Sequence, residues 1–227
     1  MMAATVKSEQ TRRLLIDSAL LLFRTQGYAK TTMRSIAEAA DVSVGNAYYY
    51  FRSKDELVAE LYRFLQDEHR SRALPLLREG HNLGEHLRLI LLANLDIMAP
   101  YHDFGAHFLR TALPPSSALE PHGRRGSADA GIGRAKSVAL FRQAVTASRP
   151  QPPLAIRDDL PELLWLVHMG VTLFWIYDRS PGQRRSRRLA HNVAPLAAKL
   201  VVLSRLPVVR NIVEDVVRLF QGARRDD

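Results

Sequence analysis

Cysteine is absent from all 227 residues. That removes disulfide frameworks, thiolate nucleophiles and cysteine-ligated zinc fingers from consideration. Lysine is scarce as well, present only at positions 7, 30, 54, 136 and 199, so the positive charge is mostly arginine. The longest apolar run, Leu163 to Tyr177, is interrupted by His168 and Thr172. At about 15 residues it is shorter than the roughly 20 that cross a bilayer. The opening MMAATVKSEQTRR lacks the apolar segment and cleavage site of a secretory signal. Strand-like alternation is nearly missing, and no repeat recurs at a solenoid period. The expectation is a cytoplasmic protein with no membrane segment.

What is present supports a folded chain. A hydrophobic content of 47% over this length is enough for one large or two modest cores. The formal charge of +9 suits a polyanionic partner. Charge alone is a weak pointer, since many basic proteins never touch nucleic acid.

Helical periodicity predicts an all-α chain of about nine or ten helices. Leu15, Ala19, Leu22 and Phe23 mark a first helix from about Ser8 to Gln26, ended by Gly27. Thr32 caps a short helix to about Ala40, with Ile36, Ala37 and Ala40 facing inward. Ser43 caps the next, to about Tyr49. Ser53 and Glu56 read as a capping box opening a long helix that Pro75 disturbs near Leu74. Leu83, Leu87, Ile90, Leu91 and Met98 mark another helix. A shorter one is expected over 103–113, a loop over 114–127, and helices at about 129–148, 160–178, 186–205 and 208–222. The expected division is a helix-turn-helix domain of residues 1–52 and a helical domain of residues 53–227, joined by the long helix after Ser53.

The segment from Thr31 to Leu57 carries the sharpest pattern. A helix-turn-helix needs small residues where two helices cross and polar ones where bases lie. Ala37 and Ala40 keep the crossing tight, and Val42 fills the space under the turn. Gly45 lets backbone approach base edges, Asn46 offers the paired donor and acceptor that match adenine, and Val44 suits a thymine methyl. Tyr48 and Tyr49 suit phosphate oxygens, whereas Phe51 is expected in the core. Thr31, Thr32, Ser43 and Lys54 stand at helix starts, where hydroxyls, amides and an ammonium reach phosphates.

From Ser8 to about Tyr62 the chain resembles the DNA-binding domain of the TetR/AcrR-type transcriptional regulators. The resemblance rests on Leu22-Phe23, Gly27-Tyr28, Thr31-Thr32, Ile36-Ala37, Val42-Ser43, Gly45, Tyr48, Tyr50-Phe51 and Lys54, in order and spacing over more than forty residues. It implies a homodimer on a palindromic double-stranded operator, usually repressing, released by a small molecule bound in the C-terminal domain. Asp41 departs from the pattern, standing in the turn where the family usually has glycine.

The C-terminal part is read from its own residues. Leu163 to Tyr177 is apolar on every side, which predicts burial all round. Leu189, Val193, Leu196, Leu200 and Leu203 form a seam that repeats every 3.5 residues, with Pro195 inside it. The resemblance implies that the helices near 160–178 and 186–205 form a four-helix bundle between two copies, and a monomeric bundle with the same stripes is the alternative. The stripe Val209, Val213, Val216 and Phe220 either closes the core or extends that interface. Polar and aromatic residues on apolar helices are the candidates for a hydrophobic or aromatic effector: Asn94, His102, His107, Phe108, Trp165, His168, Met169, Thr172 and Trp175. Asn94 and His168 lead, because each interrupts an apolar stripe.

Other chemistry finds little support. His81 and His86, like His102 and His107, are five apart and miss the spacing that puts two metal ligands on one helix face. Gly131-Ile-Gly133 lacks the later glycine of a dinucleotide fingerprint, and no nucleophile elbow or carboxylate pair stands out. No metal, cofactor or catalytic residue is expected. Arg184-Arg185-Ser186-Arg187-Arg188 reads as a solvated charged turn. Two other functions fit the same chain: a helical small-molecule carrier or enzyme that owns a helical hairpin, and a DNA-binding regulator with a filled core and no effector.

Overall fold

The computed structural model describes the backbone of residues 2–105 and 125–204, and the side chains of residues 8–105 and 134–204. Among these residues every regular element is a helix. The α-helices are α1 (Met2–Gln26), α2 (Met33–Ala39), α3 (Val44–Tyr50), α4 (Lys54–Ala73), α5 (Leu83–Met98), α6 (Arg125–Ala147), α7 (Leu154–Arg157), α8 (Leu160–Tyr177) and α9 (Arg184–Leu203). Short 3-10 turns cover Leu74–Leu76, Ala99–Phe104 and Pro181–Gln183. Residues 1–65 with 100–133 form one compact unit, and residues 66–99 with 134–227 form a second.

In the first unit, Leu15, Ala19 and Phe23 recur at four-residue steps and form the buried face of α1. That helix starts well before the expected Ser8, since nothing in MAATVKSEQ breaks a helix. Gly27, at φ +83°, ends it. Thr32 caps α2 reciprocally with Ser35: the Thr32 hydroxyl accepts from Ser35 N–H, and Ser35 Oγ accepts from Thr32 N–H, both at 3.0 Å. The helix ends in a Schellman motif. Asp41 N–H donates to Glu38 O at 3.1 Å and Val42 N–H to Ala37 O at 2.9 Å. Asp41 takes the left-handed position, φ +53°.

Ile36, Ala37, Ala47, Phe51, Leu57 and Leu61 fill the centre of this unit. The unit runs past residue 52, the expected boundary, because the first turns of α4 pack back onto it. Leu57, Leu61 and Leu65 are buried, and Arg12 on α1 pairs with Glu60 at 2.9 Å. The box at the start of α4 also differs in detail. Ser53 Oγ accepts from Glu56 N–H at 3.2 Å, but the Glu56 carboxylate turns to Arg52 N–H, at 2.7 Å, rather than to Ser53.

In the second unit, Asn82 caps α5, whose Leu87, Ile90, Leu91 and Leu95 are buried, as are Phe141, Leu164 and Trp175 of the same unit. The buried face of α9 is small, with Ser186, Ala190 and Ala194, which lets α5 come close. At the crossing, a Cβ on Gly84 would lie 3.1 Å from Ala198 Cβ and 3.3 Å from Pro195 Cα. The turn between α8 and α9 is held by the buried carboxylate of Asp178. It accepts from Ser180 N–H (2.9 Å) and hydroxyl (2.6 Å), and from Ser186 N–H (2.8 Å) and hydroxyl (2.7 Å). Burial alone would raise its pKa, but these four hydrogen bonds outweigh burial and hold it well below the usual carboxylate range.

Several expectations are corrected. Helix α8 is not buried all round: Leu173, Phe174 and Tyr177 lie on an exposed stripe, while Leu164, His168, Val171 and Trp175 face inward. By length and composition alone this 18-residue helix passes for a membrane span, yet half of it is buried inside the protein. Arg125 to Ser127, expected in a loop, open α6, and Arg184 to Arg188 form the first turns of α9 rather than a turn. The expected helix over 103–113 falls mostly outside the described residues; its first two residues end a 3-10 turn. The expected helix over 208–222 and the loop residues 114–124 also lie outside them.

Candidate nucleic-acid interface and effector site

Helix α3 is short because it is fixed at both ends. Ser43 Oγ accepts from Asn46 N–H at 3.1 Å, and Phe51, fully buried, leaves the helix in an extended conformation. Between them only Ala47 turns inward. Val44, Gly45, Asn46, Tyr48 and Tyr49 are exposed, Tyr49 at 81%, and the space where a Gly45 side chain would stand is open. An apolar residue, a glycine, an amide and two phenols on one short exposed helix cost solvation without a partner. Together they offer a methyl contact, a close backbone approach, a paired donor and acceptor, and hydroxyls for phosphates.

The helix-start residues divide. Thr32 and Ser43 are exposed caps whose hydroxyls are already engaged by the N–H groups of Ser35 and Asn46. Thr31 is fully buried, and its hydroxyl donates to Gly27 O at 2.9 Å, so it is turned away from any phosphate. Lys54 is half-buried. Its ammonium donates to Tyr28 O at 2.8 Å and lies 4.2 Å from the centre of the Tyr28 ring, whose hydroxyl donates to Asp55. Its first task is thus to tie α4 to the turn after α1. Phe104 stacks on Phe23 with ring centres 4.8 Å apart and lies 5.4 Å from Tyr28, so an aromatic trio completes this unit.

In the second unit, the structure brings together much of the expected effector set. Asn94 on α5 is buried, and its Nδ2 donates to Thr172 Oγ1 on α8 at 3.3 Å. Thr172 donates in turn to His168 O at 2.9 Å. His168 is buried, and neither ring nitrogen has a hydrogen-bond partner among the described residues. Each such atom costs about 1–3 kcal/mol when left unpaired. Burial, helped by the nearby charge of His69, pushes the His168 pKa down to about 3, so the ring is neutral. Trp165 and Trp175 are buried on the same helix, Met169 is half-buried, and the Arg134 guanidinium lies 4.7 Å from the Trp165 ring centre.

His102 belongs to the other compact unit, half-buried beside Asp103. His107 and Phe108 lie outside the described residues. The sequence reading missed the residues that face His168. His69 on α4 has its ring centre 5.5 Å away and Phe141 on α6 5.7 Å away. Nearby in sequence, Gln66 Oε1 accepts from Ser137 Oγ at 2.7 Å, both buried. The available signal was a pair of polar residues three apart on a buried stripe, Gln66 and His69. One apolar groove, of about 520 Å³, lies elsewhere, between Pro150–Pro153 and the end of α9.

A capped short helix presented on a helical hairpin, in a chain whose second unit is helical in its described residues and buries several polar side chains, defines a helix-turn-helix regulator. Residues 15–61 match the model for bacterial regulatory proteins of the tetR family, and residues 86–219 the tetracycline repressor-like C-terminal domain. The chain belongs to the tetR family. Among its relatives is the "Probable acrEF/envCD operon repressor" of Escherichia coli, 34% identical over 106 residues, or 43% of this chain and 46% of that one. Another is the transcriptional repressor KstR2 of Mycobacterium tuberculosis, 31% identical over 88 residues, 39% of this chain and 44% of that one. The chain spans less than half the length of these curated relatives. The fold is shared with the regulator FadR of Bacillus subtilis, solved with stearoyl-CoA, at a TM-score of 0.62 and 16% identity over 82% of this chain and 97% of that one.

Proposed function

We propose that this chain represses transcription as a homodimer on a palindromic operator and is released by a small hydrophobic or aromatic effector. The observation that carries the reading is the exposed face of α3. Val44, Gly45, Asn46, Tyr48 and Tyr49 are all exposed on it, which supports assigning Val44, Gly45 and Asn46 to base edges and the two tyrosines to phosphates. Ser43 caps α3 and Thr32 caps α2, while Lys54 ties α4 to Tyr28 O and Thr31 bonds Gly27 O, so these four act on the hairpin that presents the face.

The dimer reading draws on the two exposed apolar stripes, Leu173, Phe174 and Tyr177 on α8, and Leu196, Leu200 and Leu203 on α9. The effector reading draws on the buried polar set of Asn94, Thr172 and His168 beside Trp165 and Trp175. A ligand that prefers one of two states of the dimer shifts their populations by its difference in affinity.

The deciding experiment is selection of bound sequences from a random DNA pool by the purified protein at near-physiological salt. The expected outcome is an enriched palindrome with half-sites about one helical turn apart. A folded, dimeric protein that enriches no motif overturns the reading.

A further inference from the structure

The second unit supplies hydrogen-bond partners to two of its buried histidines and not to the third. His86 has Arg78 O 3.0 Å from Nε2 and Ser148 Oγ 3.0 Å from Nδ1. His69 Nε2 lies 2.9 Å from Ile90 O. His168 is as deeply buried, and both its ring nitrogens are unpartnered among the described residues. Buried polar atoms are overwhelmingly paired, so two orphans on one interior ring call for a reason.

The polar groups around His168 are committed to one another. Asn94 donates to Thr172, and Thr172 donates to the His168 carbonyl, not to its ring. Arg134, the cation placed on Trp165, already pairs with Glu162 at 2.6 Å. Phe141 forms an apolar wall at 5.7 Å. Small-molecule sites are built from aromatic and apolar groups with a few polar points, and the groups around this ring are of that kind.

We propose that His168 is the polar anchor of the effector site, and that the effector is an uncharged, mainly apolar molecule bearing a hydroxyl group. This rests on the reading of the second unit as effector-binding. A neutral imidazole presents one N–H donor and one acceptor nitrogen, and a hydroxyl both donates and accepts. A carboxylate would meet a ring that burial keeps uncharged, beside an arginine already neutralised, so its own charge would be buried without a partner.

The test uses the full-length protein at pH 7 with three fragments: phenol, toluene (methyl in place of hydroxyl) and benzoate. Binding is read by melting temperature and by the ring ¹⁵N signals of His168. Phenol is expected to bind at least about ten-fold more tightly than either of the others, the equivalent of one hydrogen bond. It is also expected to move the His168 ring signals, and His168→Phe removes the preference while toluene still binds. Equal binding of phenol and toluene, or phenol binding with unmoved ring signals, overturns the anchor and leaves the effector reading standing. If no fragment raises the melting temperature, the interior admits no such ligand, and the effector reading falls with the anchor. The ring signals are read on the wild-type protein, so the test survives a variant that does not fold.

Discussion

Ser186 holds Asp178 twice, its backbone N–H and its hydroxyl both donating to the same carboxylate oxygen, at 2.8 and 2.7 Å. The contact fixes where α9 begins relative to the end of α8. Asp178→Ala is expected to cost about 3 kcal/mol, since several buried donors lose a charged acceptor. In melting temperature that is a fall on the order of 10 °C. Asp178→Asn should rescue little, because one oxygen becomes an N–H₂ facing donors. The folded-state pKa is held below the unfolded value, so this stabilisation is present above about pH 4 and is lost as pH falls. Thermal melts of both variants at pH 7 check the prediction.

Asp41 occupies a left-handed position that glycine takes without strain. Asp41→Gly is expected to raise stability by up to about 1 kcal/mol and to leave operator choice unchanged. A lower melting temperature for the variant would count against it.

On the proposed reading the exposed face of α3 makes two kinds of DNA contact that mutation separates. Tyr48→Ala is expected to weaken binding to all DNA sequences alike, whereas Asn46→Ala relaxes choice at one base position, by about 1–3 kcal/mol against the wrong base. Repeating the pool selection with each variant reads the difference. Uniform loss from both would remove Asn46 from base reading.

Leu200 is half-exposed on the outer stripe of α9. On the proposed dimer reading, Leu200→Glu is expected to give a monomer with little change in helix content, since the side chain is half-exposed in its own chain. Sedimentation and circular dichroism report the two quantities together. A dimer that persists would move the interface elsewhere.

His168 also gives the protein an acid limit. Its folded-state pKa is lowered to about 3, and that of His69 is lowered too. The unfolded chain therefore takes up protons that the folded one refuses, and stability is complete above about pH 6.5 and declines toward pH 3. His168 contributes up to about 1.4 kcal/mol per pH unit within that window, and His69 acts in the same direction. Urea midpoints for the wild type and His168→Phe at pH 7, 6 and 5 should give a shallower slope for the variant.

The DNA-reading half was legible because its signals are local. Thr32 and Ser43 cap where their sequence neighbours require, and the Asp41 turn closes over five residues. What failed there was long-range or one-sided. Thr31 and Thr32 read alike in sequence, yet one caps α2 and the other turns inward to Gly27. Lys54 finds its partner in Tyr28, 26 residues earlier. In the second unit, periodicity located the helices but not their facings. The apolar side of α8 that carries Leu173 and Phe174 is chemically indistinguishable from the side that is buried. His69 and Phe141 meet His168 only through tertiary packing, which no single-helix pattern encodes.

The length of α3 has a consequence for how much a single chain can know. Seven residues make a rod of about 10 Å, which runs along about three base-pair steps. Even if every one were read without error, about one random site in 64 would satisfy it, since each pair distinguishes four states. Two copies bring that to about one in 4,000, against roughly a million or more competing sites in a genome. On the proposed reading, the missing bits must come from the bending and groove width of the DNA itself. The operator's uncontacted central bases would then carry a substantial share of the address beside the bases α3 touches.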